Sequence, residues 1–173
     1  GPTRIENVVI GDRDGPWLAV HGVAVEWSLL ALFSSTFEAS LVHADRIELA
    51  RLPKAGEAQG GGGGLPVSLA IARIDLPQIM IGGALAGEVA QVSAEGSLDV
   101  RAEPLAVKTD LKIARTDGRQ GALDAKVDFA PAEDRLAIDV HGSEPAGGII
   151  ANLLQLPGAP PVEIFVSGTG PAT

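Results

Sequence analysis

The stretch from Leu105 to His141 alternates apolar and polar residues, and it constrains the fold more than any other part of the chain. The alternation occurs in three consecutive segments that short polar turns separate. Successive side chains of a β-strand point to opposite faces, so this period of two is typical of half-buried strands. The stretch therefore predicts a three-stranded antiparallel meander with one apolar face.

The apolar face of this predicted meander needs a cover. It would carry these large side chains: Leu105, Val107, Leu111, Ile113, Leu123, Val127, Phe129, Leu136, Ile138 and Val140. Leaving them all in water would cost roughly 15–30 kcal/mol, at about 1.5–3 kcal/mol each. The net stability of a typical domain is only about 5–15 kcal/mol. A second sheet, a curl of the same sheet, a neighbouring chain or an apolar ligand must therefore cover the face.

The rest of the chain also favours strands. Strand-like runs occur at Ile5–Ile10, Trp17–Glu26, Glu38–His43, Arg46–Leu52, Val67–Ile74, Ile79–Ile81, Leu85–Ala94, Leu98–Arg101 and Val162–Ser167. Ser28 is a suitable N-cap for a short helix that ends at Phe33. Apolar residues at helical spacing predict a second helix within residues 146–156. Two short helices are too few to cover a sheet, so the chain is predicted to be mainly β.

Composition divides the chain into three parts. Residues 1–53 are predicted to form a strand-helix-strand unit, and residues 67–173 the meander with its short helix. Residues 54–66 contain five consecutive glycines, which indicate a flexible loop. This loop lacks the Gly-Lys-Ser/Thr sequence of a phosphate-binding loop, because Leu65 and Pro66 follow the glycines.

Charge and cysteine content exclude several functional classes. The formal net charge is −9, which argues against a nucleic-acid partner because phosphates would be repelled. There is no cysteine, which excludes disulfides, thiol catalysis and cysteine-ligated zinc. Neither a signal peptide nor a continuous membrane-spanning helix is predicted from the 173 residues.

No motif in the chain predicts catalysis. His21, His43 and His141 are far apart in sequence, and a solvated or hydrogen-bonded histidine is the simpler interpretation. Asp12 and Asp14 resemble the start of a calcium loop, but the later ligands are missing, which favours a turn. Glu133 and Asp134 are adjacent in a turn, whereas a glycosidase needs carboxylates on opposite sides of a pocket. The sequence predicts no enzyme, no metal site and no cofactor, and it favours a binding or structural role.

Five segments resemble one protein family in the same order along the chain. They are Asp12–Leu18, Val25–Leu32, Ala44–Pro53, Ala151–Gly158 and Ser167–Pro171. The first three are similar to the N-terminal region of TamB-type proteins, which belong to the translocation and assembly module and are related to AsmA-like proteins. The last two are similar to alphaproteobacterial members.

The resemblance implies a periplasmic protein that is anchored to the inner membrane by a helix outside these residues. It implies a long sheet folded into a taco-like open trough with an apolar interior, and an outer-membrane partner of the Omp85 type, TamA. It also implies transport of phospholipid between the inner and outer membranes, with acyl chains sliding along the trough and with support for outer-membrane biogenesis. The ten apolar side chains of the meander would then face lipid.

Two alternatives stay open. An exposed edge strand at Val162–Ser167 could act as a chaperone-like platform for outer-membrane proteins or autotransporters by β-augmentation. The residue pattern alone favours a closed β-sandwich with a dry core, which would act only as a spacer.

Overall fold

The computed structural model describes residues 2–28, 35–53 and 68–172. The strands are β1 Pro2–Asp12, β2 Gly15–Trp27, β3 Thr36–Leu49, β4 Ser68–Ile81, β5 Ala90–Arg101, β6 Ala106–Arg115, β7 Ala122–Ala130, β8 Arg135–Glu144 and β9 Val162–Gly170. Two short helices, α1 Gly83–Ala86 and α2 Ile149–Leu153, accompany them, with a 3₁₀ turn at Pro131–Glu133. The predicted glycine-rich loop and the helix predicted after Ser28 lie outside the described residues.

All nine strands form a single sheet in the order of the sequence. Every neighbouring pair is antiparallel except β3 and β4, which are parallel. The sheet is not closed into a barrel, and β1 and β9 form its two edges. The predicted fold class is confirmed: a mainly β chain whose antiparallel meander curls into an open trough or half-barrel, with one or two short helices. Because β3 pairs with β4, the sheet continues across the two parts that flank residues 54–66.

The predicted meander corresponds to β6, β7 and β8. Leu111 lies opposite Ala125, which in turn lies opposite Val140. Residues directly opposite each other in a sheet project from the same face, so these three side chains share one side. The alternation in the sequence therefore gives the correct register here.

Two strands were predicted as four. Glu38–His43 and the first four residues of the predicted run Arg46–Leu52 belong to the single strand β3, which ends at Leu49, and the predicted break between Ala94 and Leu98 lies inside β5. In β3 the apolar side is formed by Val42 and Ala44 before this point and by Ile47 and Leu49 after it. Such a shift from even-numbered to odd-numbered residues interrupts the alternation and looks like a turn in the sequence. The strand continues because β2 changes its apolar side at the matching position, where Gly22 has a φ of +64°.

The end of β4 and the start of β5 also differ from prediction. A register shift lies between Leu76 and Ile79, where Pro77 predicted a bend in the strand. The segment Gly83–Ala86 forms α1, although the sequence favoured a turn followed by a strand. Four residues are too few to show helical periodicity in the sequence. This short helix depends on its contacts with α2 rather than on its own sequence pattern.

The apolar face of the meander continues across the whole sheet. Starting from Thr109 on β6, the residues directly opposite on successive strands are Leu98 on β5, Ile71 on β4, Ala39 on β3 and Trp27 on β2. We call this side the apolar face, and the opposite side the polar face. The buried apolar residues are mostly small: Ala39, Ala44, Ala86, Ala90, Val92, Ala94, Val100, Ala130 and Ala151.

Candidate functional site

A groove runs along the apolar face and crosses eight consecutive strands, from β2 to β9. Its volume is about 1120 Å³, and its floor consists of one apolar-face residue from each strand: Trp27, Ala39, Ile71, Leu98, Thr109, Val127, Ile138 and Gly168. Strands lie about 4.8 Å apart, so eight strands extend the groove by roughly 34 Å along the sheet. Half of a bilayer's hydrocarbon core is only about 15 Å thick, so an extended acyl chain fits within this length.

The groove is not filled by other parts of the described chain. No large side chain is fully buried among residues 2–28, 35–53 and 68–172. Leu111, Val127 and Ile138 are only half-buried. In a closed sandwich with a dry core these central side chains would be buried completely. The described residues therefore form an open trough rather than a closed sandwich.

The structure brings nine of the ten predicted side chains together on the apolar face. Val127 and Ile138 lie in the groove, and Ile113 and Leu123 line a second cavity. The remaining ones share the face by their register: Val107, Leu111, Phe129, Leu136 and Val140. Leu105 instead lies in the turn before β6 and is 48% exposed. The reason is that β6 begins at Ala106, one residue after the alternation begins in the sequence.

An aromatic pair that the sequence pattern does not reveal lies at one end of the groove. Trp27 stacks on Phe37, with their ring centroids 6.2 Å apart. The indole nitrogen of Trp27 donates a hydrogen bond to Thr3 Oγ1 at 2.8 Å, so the ring is held in place. One sequence signal could have placed Trp27 on the apolar face. Val23, Val25 and Trp27 occupy every second position on β2, so they share one side of the strand.

The second cavity lies under α2 at the opposite ends of the strands, and we call it the plug cavity. Its volume is about 290 Å³. Its apolar lining consists of Leu49, Ile79, Ile81, Val92, Ile113, Leu123, Ile149, Ile150 and Leu153. Helix α2 covers this end of the apolar face, and α1 packs against α2. The sequence predicted a short apolar helix in this segment.

Two charged side chains also line the plug cavity. Glu144 Oε1 accepts hydrogen bonds from the backbone N–H groups of Ile150 at 2.6 Å and Ala151 at 3.2 Å, and so holds the start of α2. The guanidinium of Arg115 donates to both carboxylate oxygens of Asp117, at 3.0 and 2.6 Å. These hydrogen bonds hold the pKa of Asp117 well below its usual value.

The polar face carries charged residues of alternating sign. Lys126 lies between Asp110 and Asp139 on the neighbouring strands, and Lys112 lies between Glu95 and Asp124. Opposite charges in cross-strand pairs stabilise a sheet, whereas like charges destabilise it. This face is therefore suited to water.

The histidines make local hydrogen bonds. His43 Nδ1 is 2.8 Å from Asp75 Oδ2, and His43 Nε2 is 2.7 Å from Asp45 Oδ1. Hydrogen bonds that Asp45 and then Asp75 accept from the imidazole raise the pKa of His43 above its usual value. The hydrogen bond from His43 lowers the pKa of Asp45. The sequence did not reveal this cluster, because Asp75 is remote from His43 and only the β3–β4 pairing brings them together.

The other acidic motifs have structural partners. Asp12 Oδ1 accepts the backbone N–H of Asp14 at 2.9 Å, and Arg51 donates to both oxygens of Asp12. These contacts fix the β1–β2 hairpin, so the turn interpretation is confirmed. Arg135 binds Glu133 beside the β7–β8 turn. In the described part of the chain, no group of three or more histidine or acidic side chains could hold a metal ion.

Comparisons of the chain with protein-family models, with curated proteins and with solved structures found no match. The resemblance to TamB-type proteins therefore stays a prediction. No helix within the described residues is long and apolar enough to cross a membrane.

Proposed function

We propose that the groove binds phospholipid acyl chains, and that this chain is a segment of a hydrophobic conduit between two membranes. One observation carries the proposal: a continuous apolar groove of about 1120 Å³ crosses eight strands and is not filled by the described chain. Exposed apolar surface of this extent marks a binding site rather than an ordinary protein surface.

The polarity of the sheet supports an apolar chain as the occupant. On the groove floor, the indole N–H of Trp27 and the hydroxyl of Thr109 are both already hydrogen-bonded, the latter to the backbone carbonyl of Ser97 at 2.9 Å. The floor therefore offers few groups that would bind a polar ligand. Charged residues on either side of the floor, such as Lys108 and Asp128, also line the groove. An acyl chain needs no hydrogen bonds and gains free energy in proportion to the area it buries.

The wider role follows from the resemblance to TamB-type proteins. On this proposal the chain works in the periplasm, belongs to a protein anchored in the inner membrane, and reaches an outer-membrane partner of the TamA kind through regions outside these residues. Transport of phospholipid along the trough would then support outer-membrane biogenesis. No catalytic step is part of this role.

Photo-crosslinking from the groove tests the proposal. A photoreactive amino acid at Ile138, which lies on the groove floor, is expected to capture phospholipid when the protein is purified from cells. The same amino acid at His141 is the matched control, because this residue of the same strand projects from the polar face and does not line the groove. Mass spectrometry of the adducts gives the result. Equal capture at both positions, or none at Ile138 in a folded protein, would contradict the proposal.

A second candidate function rests on the edge strand β9. This strand forms one edge of the sheet, pairs with β8 without a register shift, and leaves Phe165 78% exposed. A long regular edge can accept a further strand by β-augmentation, as a platform for unfolded outer-membrane proteins would require. Crosslinking from Ile164 to a barrel protein rather than to lipid would support this candidate.

A further inference from the structure

The outer side of β9 is an unpaired edge on a strand that is held along its whole length. All nine residues from Val162 to Gly170 pair with β8 without a register shift. Just after the strand, the backbone N–H of Ala172 donates to Asp134 Oδ1 at 3.0 Å. On its other side, β9 has no neighbouring strand among the described residues. A regular edge of this kind is a template for a further strand.

The strand β9 lacks the features that usually keep an edge from pairing with another chain. Proteins protect exposed edges with charged side chains, prolines and bulges. β9 contains one charged residue, Glu163, and no proline. The other edge strand, β1, begins at Pro2, carries Arg4 and Glu6, and has a register shift near its end. The edge at β9 is therefore the one that is open to pairing.

Apolar side chains are exposed on both faces of β9. Phe165 lies opposite His141 on the polar face and is 78% exposed, and Val166 lies opposite Val140 on the apolar face and is 50% exposed. Aromatic side chains bury a large area and are enriched at protein interfaces. A partner strand along this edge would cover apolar surface on both faces at once.

The sequence of β9 is complementary to itself in the antiparallel orientation. Two copies keep their apolar faces on the same side only if the register is centred on a residue, because a shift by one residue turns each side chain to the other face. Val166 is the middle residue of β9. A register centred on Val166 therefore pairs the two strands over their whole length and also aligns their faces.

This register sets no unfavourable pairs against each other. Ile164 lies opposite Gly168, where a Cβ atom would meet nothing within 4 Å, so the larger side chain has space. Glu163 lies opposite Thr169 rather than opposite a second glutamate, so like charges do not face each other. The two Phe165 side chains are diagonal neighbours, a separation within reach of aromatic rings.

We propose that β9 pairs with β9 of a second copy of this chain, antiparallel and centred on Val166. A two-fold axis perpendicular to the sheet relates the two copies, so the assembly closes as a dimer. The pairing forms about eight to ten backbone hydrogen bonds, and a typical protein interface has about ten. The apolar face continues from one copy to the other. Passage of lipid across the junction would rest on the proposed function, whereas the pairing does not.

Charge exchange at the two-fold axis tests the pairing. Sedimentation of the full chain at high micromolar concentration is expected to give twice its mass of 17.6 kDa. Val166→Lys and Val166→Glu each place like charges directly opposite, so each variant alone is expected to be a monomer. An equimolar mixture of the two is expected to recover the dimer, because opposite charges then face each other; this recovery also shows that both variants fold.

The same substitution on the other edge is the matched control. Val9 on β1 is 60% exposed, and Val9→Lys is expected to leave the mass doubled. A monomeric unaltered chain, or a mixture of the two Val166 variants that stays monomeric, would overturn the proposal. Polymers that grow with concentration would indicate pairing of β9 with β1 of the next copy and would also overturn it.

Disulfide formation tests the register independently. The chain has no cysteine, so Val166→Cys introduces a single thiol. Directly opposite residues have Cα atoms about 4.5–5.5 Å apart, within the span of about 4.4–6.8 Å that a disulfide bridges. Mild oxidation followed by non-reducing electrophoresis is therefore expected to show a covalent dimer. In Ile164→Cys the two thiols would lie about 14 Å apart, four residues along the strand, so equal crosslinking of this variant would overturn the register.

Lipid capture distinguishes this proposal from the proposed function. Val166 does not line the groove, so Val166→Lys is expected to lose the dimer and to retain phospholipid capture from Ile138. A dimer in the unaltered chain without any lipid capture would support the pairing and contradict only the groove.

Discussion

Asp45 lies opposite Gly22 in the pair of β2 and β3, and its side chain covers the glycine. A Cβ on Gly22 would lie 1.9 Å from Asp45 Oδ2. This space allows Asp45 to contact His43 at 2.7 Å and Arg4 at 3.5 Å. Together with Asp75, these side chains connect β1, β3 and β4 on the polar face.

The His43 cluster predicts a pH dependence of stability. The pKa of His43 is raised above its usual value of 6.5, so its contribution is complete below that pH and is lost as the pH rises through the folded-state pKa. The pKa of Asp45 is lowered from 3.8, so its contribution is complete above that pH and is lost as the pH falls through its folded-state pKa. The cluster therefore stabilises the protein most between these two usual values.

We expect His43→Gln to lose more stability at pH 5.5 than at pH 9, measured by urea unfolding at each pH. An NMR titration of His43 in the folded protein should give a pKa above 6.5. Asp75→Asn is the control, because it removes one of the two carboxylates and should bring this pKa back down. A His43 pKa at or below 6.5 would show that the cluster does not form in solution.

The sequence predicted two of the eight residues on the groove floor and two of the apolar residues that line the plug cavity, but it did not predict the role of Glu144. Alternation alone placed Val127 and Ile138 on one face, because a regular strand fixes which side each residue occupies. Glu144 gave no such signal, since a glutamate at a strand end is ordinarily solvated. Its role depends on α2 folding back onto the sheet six residues later, which is a tertiary contact.

At the scale of single strands, the charge pattern of the polar face predicts the effect of reversing one charge. Lys126 lies between Asp110 and Asp139, so Lys126→Glu would place three acidic residues in a row across β6, β7 and β8. The expected loss is about 1–2 kcal/mol of unfolding free energy at low salt. Urea unfolding at low and high sodium chloride checks it, because salt screens exposed charges and should reduce the loss.

Lys126→Gln is the matched variant for this charge reversal. It removes the attraction without adding repulsion, so it should lose less stability than Lys126→Glu. A loss that does not change with salt would show that packing of the lysine stem, rather than its charge, is responsible.

Strand boundaries were predictable only where the alternation is unbroken. The strands β6, β7 and β8 have no register shift between them, and their pattern gave both their existence and their pairing. Near Gly22 and Pro77 the apolar side of the strand changes, and a single sequence does not distinguish such a change from a turn. The neighbouring strand makes the same change, which only the assembled sheet reveals.

At the scale of the whole molecule, an open trough should tolerate charge better than a closed core. Leu111 is half-buried on the groove side, whereas Val92 is 5% exposed at the plug end of the same face. We expect Val92→Glu to cost about 3–4 kcal/mol of stability, because its carboxylate would be buried and the guanidinium of Arg115 on the opposite strand is already bound by Asp117. Leu111→Glu should cost only about 1–2 kcal/mol, because its carboxylate can reach water.

Urea unfolding of the two glutamate variants measures these losses side by side. If lipid fills the groove in cells, Leu111→Glu should also reduce phospholipid capture from Ile138 more than it reduces stability. Equal losses of stability in the two variants would indicate that the groove is dry and closed in solution, as in the spacer alternative.

The parallel pair β3–β4 has a consequence for the order in which the sheet assembles. Every strand pairs with its neighbour in sequence, which keeps most contacts local and favours rapid folding. The pair β3–β4 costs more conformational entropy than the antiparallel pairs, because residues 50–67 must connect the end of β3 to the start of β4 before any parallel contact forms. We therefore expect β1–β3 and β4–β9 to form as separate meanders that join last. Stopped-flow refolding should then show that destabilising changes at Val42 or Ile74 mainly accelerate unfolding, whereas changes within β6–β8 slow folding.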